Sequence, residues 1–423
     1  MTALRLASTR TFSSLRRHHN YRLFFIGQIT SVCGTWMQNI ALYWLILSLT
    51  HSPLAVGMLS LARFGPFTVF GLIAGVVADR FDNRKTVIIT QSVQMFLSAV
   101  LAAVTLLGTA RPWEVYAIAV VTGVAVVFDL PARQNLTMQL VGRDELPNAV
   151  ALNSSLFNIA RIFGPALAGV VIAAVGTGWC FAINSASFLA VLAGLILMRT
   201  KELYPLLNRT RPTIWRGTRE ALDYVRSSRR LMVLCGIGAI VMSFAFNINV
   251  VLPVLAKQTL SAGPQTFGVI SACFGAGALA GALVSAALAN ARWRVMLASI
   301  GVFGLAEIAI APLHDVIAVG VLLFVCGICF TTYTSNSNTA VQLEAPDHIR
   351  GRVIGIYFYA WNGPLPLASP LIGWLCVLGG TQLAFLFGGG CALLAAGGAT
   401  TALRRRPAPG RARPATEALA TSR

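Results

Sequence analysis

Apolar runs, each roughly twenty residues long, recur along this 423-residue chain and limit its fold more than any other feature. An α-helix of that length crosses the hydrocarbon core of a bilayer. Hydrophobic residues make up 56% of the sequence and charged residues only 11%, a composition foreign to soluble domains. Transmembrane barrels show alternating segments of about ten residues instead, and the sequence has none. We therefore predict an all-α polytopic membrane protein.

The apolar runs predict twelve membrane spans. We place them at residues 21–49, 53–78, 86–108, 113–134, 148–175, 178–198, 231–256, 266–289, 295–311, 316–337, 352–378 and 382–403. The first run is too long for the apolar core of a signal peptide, and no small-residue cleavage site follows it. We expect it to stay in the protein as the first span.

The basic residues indicate how the spans are oriented. Nearly all of the 33 Lys and Arg residues fall in the N-terminal region, in alternate loops and in the C-terminal tail. The opposite loops hold only Arg111 and Lys257. Cytoplasmic loops carry such an excess, so we expect both termini in the cytoplasm. The net charge of +19 would then face anionic membrane lipids rather than nucleic acid.

A basic stretch between the sixth and seventh spans divides the chain into two halves. We predict a cytoplasmic N-tail (1–20), a six-helix half (21–198), a cytoplasmic linker (199–230), a second six-helix half (231–403) and a disordered cytoplasmic C-tail (404–423). Ile214, Ala221, Leu222 and Val225 could form the apolar side of a helix lying on the membrane face. A plain solvated linker is the alternative.

The two halves resemble each other in sequence. Residues 71–79 (GLIAGVVAD) pair with 277–285 (GALAGALVS), the Gln-Leu at 139–140 with that at 342–343, and Pro165 and Gly169 with Pro370 and Gly373. The separation between partners is nearly constant along the chain. A repeat of six plus six spans, with substrate bound between the halves near the bilayer midplane, is a transporter architecture.

Five charged residues fall inside predicted spans, where each is costly and needs a reason. Asp129 and Arg133 are four residues apart on one helix face, so they can pair, either as a titratable site or as a permanent structural ion pair. Arg161 lies near mid-bilayer depth, with Asp129 its nearest candidate partner. Glu307 lies in the outer third of its span and could be solvated from outside. Asp129, Arg133, Arg161 and Glu307 are the proton-coupling candidates, and Arg63 is assigned to the substrate path.

Polar and aromatic residues inside other spans predict a water-filled path. The first span carries them three or four residues apart, and lipid would penalise such a stripe. Amide and aromatic groups among apolar walls suit a moderately hydrophobic organic substrate. The predicted path residues are Gln28, Thr35, Asn39, Tyr43, Arg63, Asn158, Asn247, Asn336, Trp361 and Asn362.

The loop between the second and third spans reads GVVADRFDNRK at residues 75–85. A small residue and an acid at one helix end, followed by a basic cluster, suit a latch between the two halves. Its predicted members are Gly75, Asp79, Arg80, Arg84 and Lys85. A signal for loop orientation alone is the alternative. In the fifth span, Gly164, Pro165 and Gly169 have the spacing of a close helix crossing.

This loop resembles the loop 2–3 signature of the major facilitator superfamily, with Asn83 where that signature usually has Arg. Together with residues 129–134 (DLPARQ), 146–153 (LPNAVALN) and 158–169 (NIARIFGPALAG), it resembles the enterobactin-exporter-like branch, also called the third drug:proton antiporter family. Ala160 and Ala168 stand where the family's fifth-span motif has Gly. The resemblance implies the twelve-helix fold of two pseudo-symmetric halves.

The same resemblance implies proton-coupled export of drugs, siderophores or secondary metabolites from the bacterial cytoplasm across the inner membrane. An importer or uncoupled carrier on the same fold is the first alternative, and a non-transporting receptor the second. We expect a monomer that acts as neither an enzyme nor a metal- or cofactor-binding protein, since the eight cysteines lie in or beside apolar runs without a metal or disulfide pattern.

Overall fold

A computed structural model describes residues 12–205, 214–287, 293–346 and 349–404 of the chain. Within these ranges nearly every residue is helical and none forms a strand, which confirms the all-α fold. Residues 1–11 of the predicted N-tail, 206–213 of the linker and 405–423 of the C-tail lie outside the described residues.

The α-helices follow the predicted spans closely. In chain order they are α1 (Ser13–Arg17), α2 (His19–Thr50), α3 (Pro53–Arg80), α4 (Asn83–Leu106), α5 (Pro112–Val175), α6 (Thr177–Ile196), α7 (Ile214–Ser227), α8 (Arg229–Ile240), α9 (Ile248–Val254), α10 (Pro264–Ala287), α11 (Trp293–Ile310), α12 (Val316–Glu344), α13 (Arg350–Asn362) and α14 (Leu365–Arg404). Short π-helical turns at Val241–Ala245 and Leu255–Thr259 flank α9.

Ten helical stretches in the described ranges are long and apolar enough to cross a membrane. Two of them are long enough to cross twice. Helix α5 has 64 residues and bends at Gly142, whose φ of 72° is a left-handed value that glycine adopts without strain. The stretch from α13 through α14 bends likewise at Gly380 (φ 66°). Counting two crossings for each gives twelve, the number of predicted spans.

The two halves of the bundle meet at one end, which we call the distal end; it carries the loops after α2 and α4. A side chain at Gly57 of α3 would lie 2.5 Å from the carbonyl oxygen of Ser369 on α14. A side chain at Gly268 of α10 would lie 2.5 Å from the carbonyl oxygen of Pro165 on α5. Two equivalent glycine-mediated crossings therefore close the distal end.

The opposite end of the bundle, which we call the terminal end, carries α1 and the loop after α3. At this end α3 and α13 make no such close crossing: a side chain at Gly75 of α3, or at Gly351 or Gly355 of α13, would meet nothing within 4 Å. The close glycine crossings between the halves are therefore found at the distal end, and these glycines of the terminal end make none.

The linker helix α7 packs on protein rather than on the membrane face. Ala221 and Val225 are buried in the core of the second half. The Tyr224 hydroxyl donates to the backbone oxygen of Glu344 (3.2 Å), and Glu220 pairs with Arg352 (3.4 Å). This corrects the membrane-face interpretation: protein covers the apolar residues of α7, and its polar residues contact Glu344 at the end of α12 and Arg352 in α13.

Candidate functional site

Asp129 lies at the centre of a buried polar network in the first arm of α5 and is 3% exposed. Its Oδ1 accepts hydrogen bonds from the Thr90 hydroxyl (2.7 Å) and the Gln91 amide (3.0 Å) of α4. Its Oδ2 accepts from Nε (3.0 Å) and Nη2 of Arg133. The pair that the four-residue spacing predicts is present, and four donors occupy both carboxylate oxygens.

Arg133 connects this network to α2. Its Nη1 donates to Oε1 of Gln28 (2.6 Å), whose side chain is almost fully buried. The network therefore joins three helices of the first half. The amide oxygen of Gln28 is bonded to Arg133 and is part of this network.

A cleft of about 570 Å³ lies between the two arms of α5. It is lined by Leu130, Arg133, Gln134, Asn135, Thr137, Met138, Leu146, Val150, Asn153, Ser154, Phe157, Asn158 and Arg161. Of the predicted site residues, the structure brings Arg133, Asn158 and Arg161 together here. The arms of one bent helix form this cleft because Gly142 lets the chain reverse between them.

Arg161 lies against an aromatic ring rather than an acid. Its guanidinium carbon is 5.5 Å from the centre of the Trp36 ring on α2, a cation–π arrangement. The described residues give it no ion pair. Asp129, the partner expected from topology, is instead paired with Arg133, which lies one helical turn further along α5.

Glu307 of α11 is 4% exposed, so the expectation that it is solvated from outside is wrong. Helix α14 and the π-helical turn Val241–Ala245 cover it: a side chain at Gly388 would lie 3.1 Å from its Oε2 and 3.0 Å from the backbone oxygen of Phe244. Within the described part of the chain, Oε2 has no hydrogen-bond partner.

The other predicted path residues are spread over several helix contacts. Asn247 accepts a hydrogen bond from Ser369 (2.9 Å) within the second half. Asn336 and Asn362 donate to carbonyl oxygens of their own helices. Trp361 is buried, with its ring 5.4 Å from that of Tyr333. These four residues lie in or beside the second half and none of them lines the cleft.

On the side of the first half, Thr35 and Asn39 of α2 are half-buried. Tyr43, near the distal end, is 3% exposed, and Arg63 of α3 lies beside it. The Oδ1 of Asn39 has no hydrogen-bond partner among the described residues. Such groups are satisfied by water or by ligand when a path is filled.

Sequence reasoning missed several residues of the site. Thr90 and Gln91 complete the shell around Asp129, and Gln134 and Asn153 line the cleft. A signal for the first two exists: α4 carries Thr90, Gln91, Gln94 and Ser98 within a largely apolar run. Polar residues repeating at helical spacing inside a span are expected to face protein rather than lipid.

Members of the predicted latch lie at the terminal end. Asp79, Arg80 and Lys85 are exposed. Arg84 donates to the last carbonyl oxygens of α6, those of Leu195 (2.8 Å) and Ile196 (3.3 Å). Arg84 therefore caps a helix of its own half, a favourable place for a cation, and does not reach across to the second half in this conformation.

We expect Asp79→Asn to change the balance between conformations several-fold. Loss of a charge–helix-dipole interaction costs about 0.3–1 kcal/mol when exposed, enough to shift a nearly balanced equilibrium. The reporter is Ser48→Cys, because Ser48 contacts Lys257 of the second half at the distal end (3.2 Å) and is uncovered when that end opens. In a background without other reactive cysteines, Ser48→Cys should react more slowly with a membrane-impermeant thiol reagent in the Asp79→Asn variant than in the parent.

Asp82→Asn is the matched control for this prediction. Asp82 lies in the same loop and caps α4 by accepting from the backbone N–H of Lys85 (3.1 Å), a role that Asn also fills. In the Asp82→Asn variant, the Ser48→Cys reporter should be labelled at the same rate as in the parent. Equal rates in both variants, with transport unimpaired, would reduce the loop to an orientation signal.

Comparison with known proteins identifies the family. The sequence model of the family described as transmembrane secretion effector matches residues 9–416, nearly the whole chain. The chain belongs to this family of major facilitator transporters. It is therefore a multi-pass membrane transporter and not an enzyme.

Two curated relatives are similar over most of their length. The staphyloferrin A transporter of Staphylococcus aureus is 24% identical over 356 residues, covering 83% of this chain and 88% of that protein. The enterobactin exporter EntS of Salmonella choleraesuis is 24% identical over 350 residues, covering 82% of this chain and 83% of that protein. The second of these is the exporter for which the branch that the sequence motifs resemble is named.

A solved structure shows the same fold. The crystal structure of the nucleoside transporter NupG superposes with a TM-score of 0.73 over 92% of this chain and 100% of that chain, at 14% identity. This similarity confirms the major facilitator fold with its two halves.

Proposed function

We infer that this protein exports a small organic molecule from the bacterial cytoplasm in exchange for protons. Its similarity to the enterobactin exporter EntS supports export. The arrangement of the two halves supports alternating access: with both termini in the cytoplasm, the distal end, where the halves cross closely, would face outward and be closed, as loading from the cytoplasm requires.

The observation that carries proton coupling is the buried carboxyl of Glu307. A carboxylate without a partner costs several kcal/mol in such a place, so burial favours the protonated form. The nearby titratable side chains are Cys326 and Cys391, and no described cation pairs with it. A rearrangement that brings water to Glu307 would release its proton, and one that covers it again would take a proton up.

Glu307→Gln should abolish gradient-driven transport and leave downhill exchange in place. Glutamine has the shape of the protonated acid, so the protein should fold and still change conformation, but it cannot carry a proton. Everted membrane vesicles with an imposed pH gradient, tested with a panel of labelled siderophores and drugs, measure uphill accumulation and downhill exchange separately.

Glu344→Gln is the matched control, since Glu344 is an acid of the second half that pairs with Arg230 at the terminal end (3.4 Å). It should keep uphill accumulation. Concentrative transport by Glu307→Gln at the parent's rate would remove Glu307 from coupling. If the parent protein transports substrate at the same rate with and without the imposed pH gradient, the uncoupled carrier would be favoured.

The proposal extends to the surroundings of the protein. We place it in the bacterial cytoplasmic membrane with both termini inside, where its basic cytoplasmic residues face anionic lipid headgroups. A single chain holds both halves, and we propose that it works as a monomer.

A further inference from the structure

The cleft between the two arms of α5 is positively charged. Its lining includes the guanidinium groups of Arg133 and Arg161 and no Asp or Glu. Asp129 forms an ion pair with Arg133 and so neutralises its charge. The charge of Arg161 is left without an acid among the described residues, although charged groups at this depth are normally paired.

The geometry around Arg161 leaves its donors available. The guanidinium lies 5.5 Å from the centre of the Trp36 ring, so the ring supports the cation from one side without using its N–H groups. A guanidinium presents those groups in a planar fork that matches the two oxygens of a carboxylate. Trp36 is fixed in turn, because Gly164 of α5 packs directly against it.

The rest of the cleft suits a carboxylate attached to an organic body. Asn153 and Asn158 lie on the same arm as Arg161 and supply amide groups, while Phe157 and Met138 supply apolar surface. The cleft runs along both arms of α5 from near the bend at Gly142 to Arg161. Its lining residues Leu130, Val150 and Phe157 are exposed, so a ligand can reach it in this conformation.

We propose that this cleft binds the carboxylate of an anionic amphipathic substrate, with Arg161 as the residue that recognises it. The identity of this ligand as the exported molecule rests on the proposed function. The site selects against cations, because a cationic ligand would meet Arg161 with no acid in the cleft to offset the repulsion.

Binding of two dyes to the purified protein tests this proposal. Carboxyfluorescein and a cationic rhodamine ester share a xanthene ring system but carry opposite charge, and fluorescence anisotropy measures the affinity of each. Carboxyfluorescein should bind saturably and more tightly than the rhodamine ester. Arg161→Gln should weaken carboxyfluorescein binding roughly ten- to a hundredfold, and Arg161→Lys should recover only part of it because the fork is lost.

Arg230→Gln is the control, since it removes an equal charge at the terminal end outside the cleft; it should bind both dyes as the parent does. Tighter binding of the rhodamine ester, no saturable binding of carboxyfluorescein, or an unchanged affinity in Arg161→Gln would overturn the proposal. The assay uses no gradient, so it is independent of transport. Anion binding without proton-driven export would refute the proposed function and leave the substrate class in place.

Discussion

Gly268→Leu should reduce transport about a hundredfold while the protein still reaches the membrane. A side chain there would lie 2.5 Å from the backbone oxygen of Pro165 and 3.0 Å from the Cα of Gly169. Both are backbone atoms, so the clash is relieved only by moving α10 away from α5. Overpacking of this kind costs about 1–3 kcal/mol, and the upper value changes a two-state population by about a hundredfold.

The variant should therefore populate a conformation with the distal end open. Labelling of Ser48→Cys should be faster in Gly268→Leu than in the parent, and Gly268→Ala should lie between them. Gly301→Leu in α11 is the matched control, because a side chain at Gly301 would meet nothing within 4 Å, and it should leave transport and labelling unchanged. Normal transport in Gly268→Leu would show that the distal crossing is not part of the cycle.

The helices themselves were predictable from sequence because a bilayer imposes their length. Each apolar run must satisfy its own backbone hydrogen bonds as a helix, so the predicted span 53–78 and the observed α3 (Pro53–Arg80) agree without any knowledge of tertiary contacts. The Asp129–Arg133 pair was equally predictable, since both residues lie on one helix and its geometry sets their distance.

The environment of a charged residue was less predictable than its presence. Glu307 could be assigned a depth from its position in the run, but its burial depends on Gly388, which comes much later in the chain and belongs to another helix. Arg161 shows the same limit: its neighbour Trp36 is on α2, and no spacing within α5 reveals it. Contacts between helices depend on packing and rotation, which the periodicity of one span does not determine.

The two acids of the membrane interior differ in a way that suggests different roles. Asp129 has four donors around its carboxylate, whereas Glu307 has an oxygen with none in the described structure. A fully paired acid exchanges its proton only if its partners leave. We therefore expect the Asp129–Arg133 pair to hold α2, α4 and α5 together, and Glu307 to carry the proton.

Asp129→Asn should destabilise the protein by about 3–5 kcal/mol, because removal of one partner leaves the other charge buried and unpaired. Its membrane level and the midpoint of its thermal unfolding should both fall, and uphill transport with them. Asp129→Asn combined with Arg133→Gln replaces the ion pair by two neutral amides of similar shape. Replacing both partners of a buried pair is often nearly neutral, so the double variant should regain most of the lost stability.

Transport by the double variant then separates the two interpretations of Asp129. If the pair is structural, recovery of the fold should bring back gradient-driven accumulation in everted vesicles. A double variant that is stable and exchanges substrate downhill, yet accumulates none against a gradient, would show that Asp129 itself titrates during the cycle. Because Glu307 is intact in this variant, that second outcome would assign coupling to the network in the first half and make Glu307 insufficient for it.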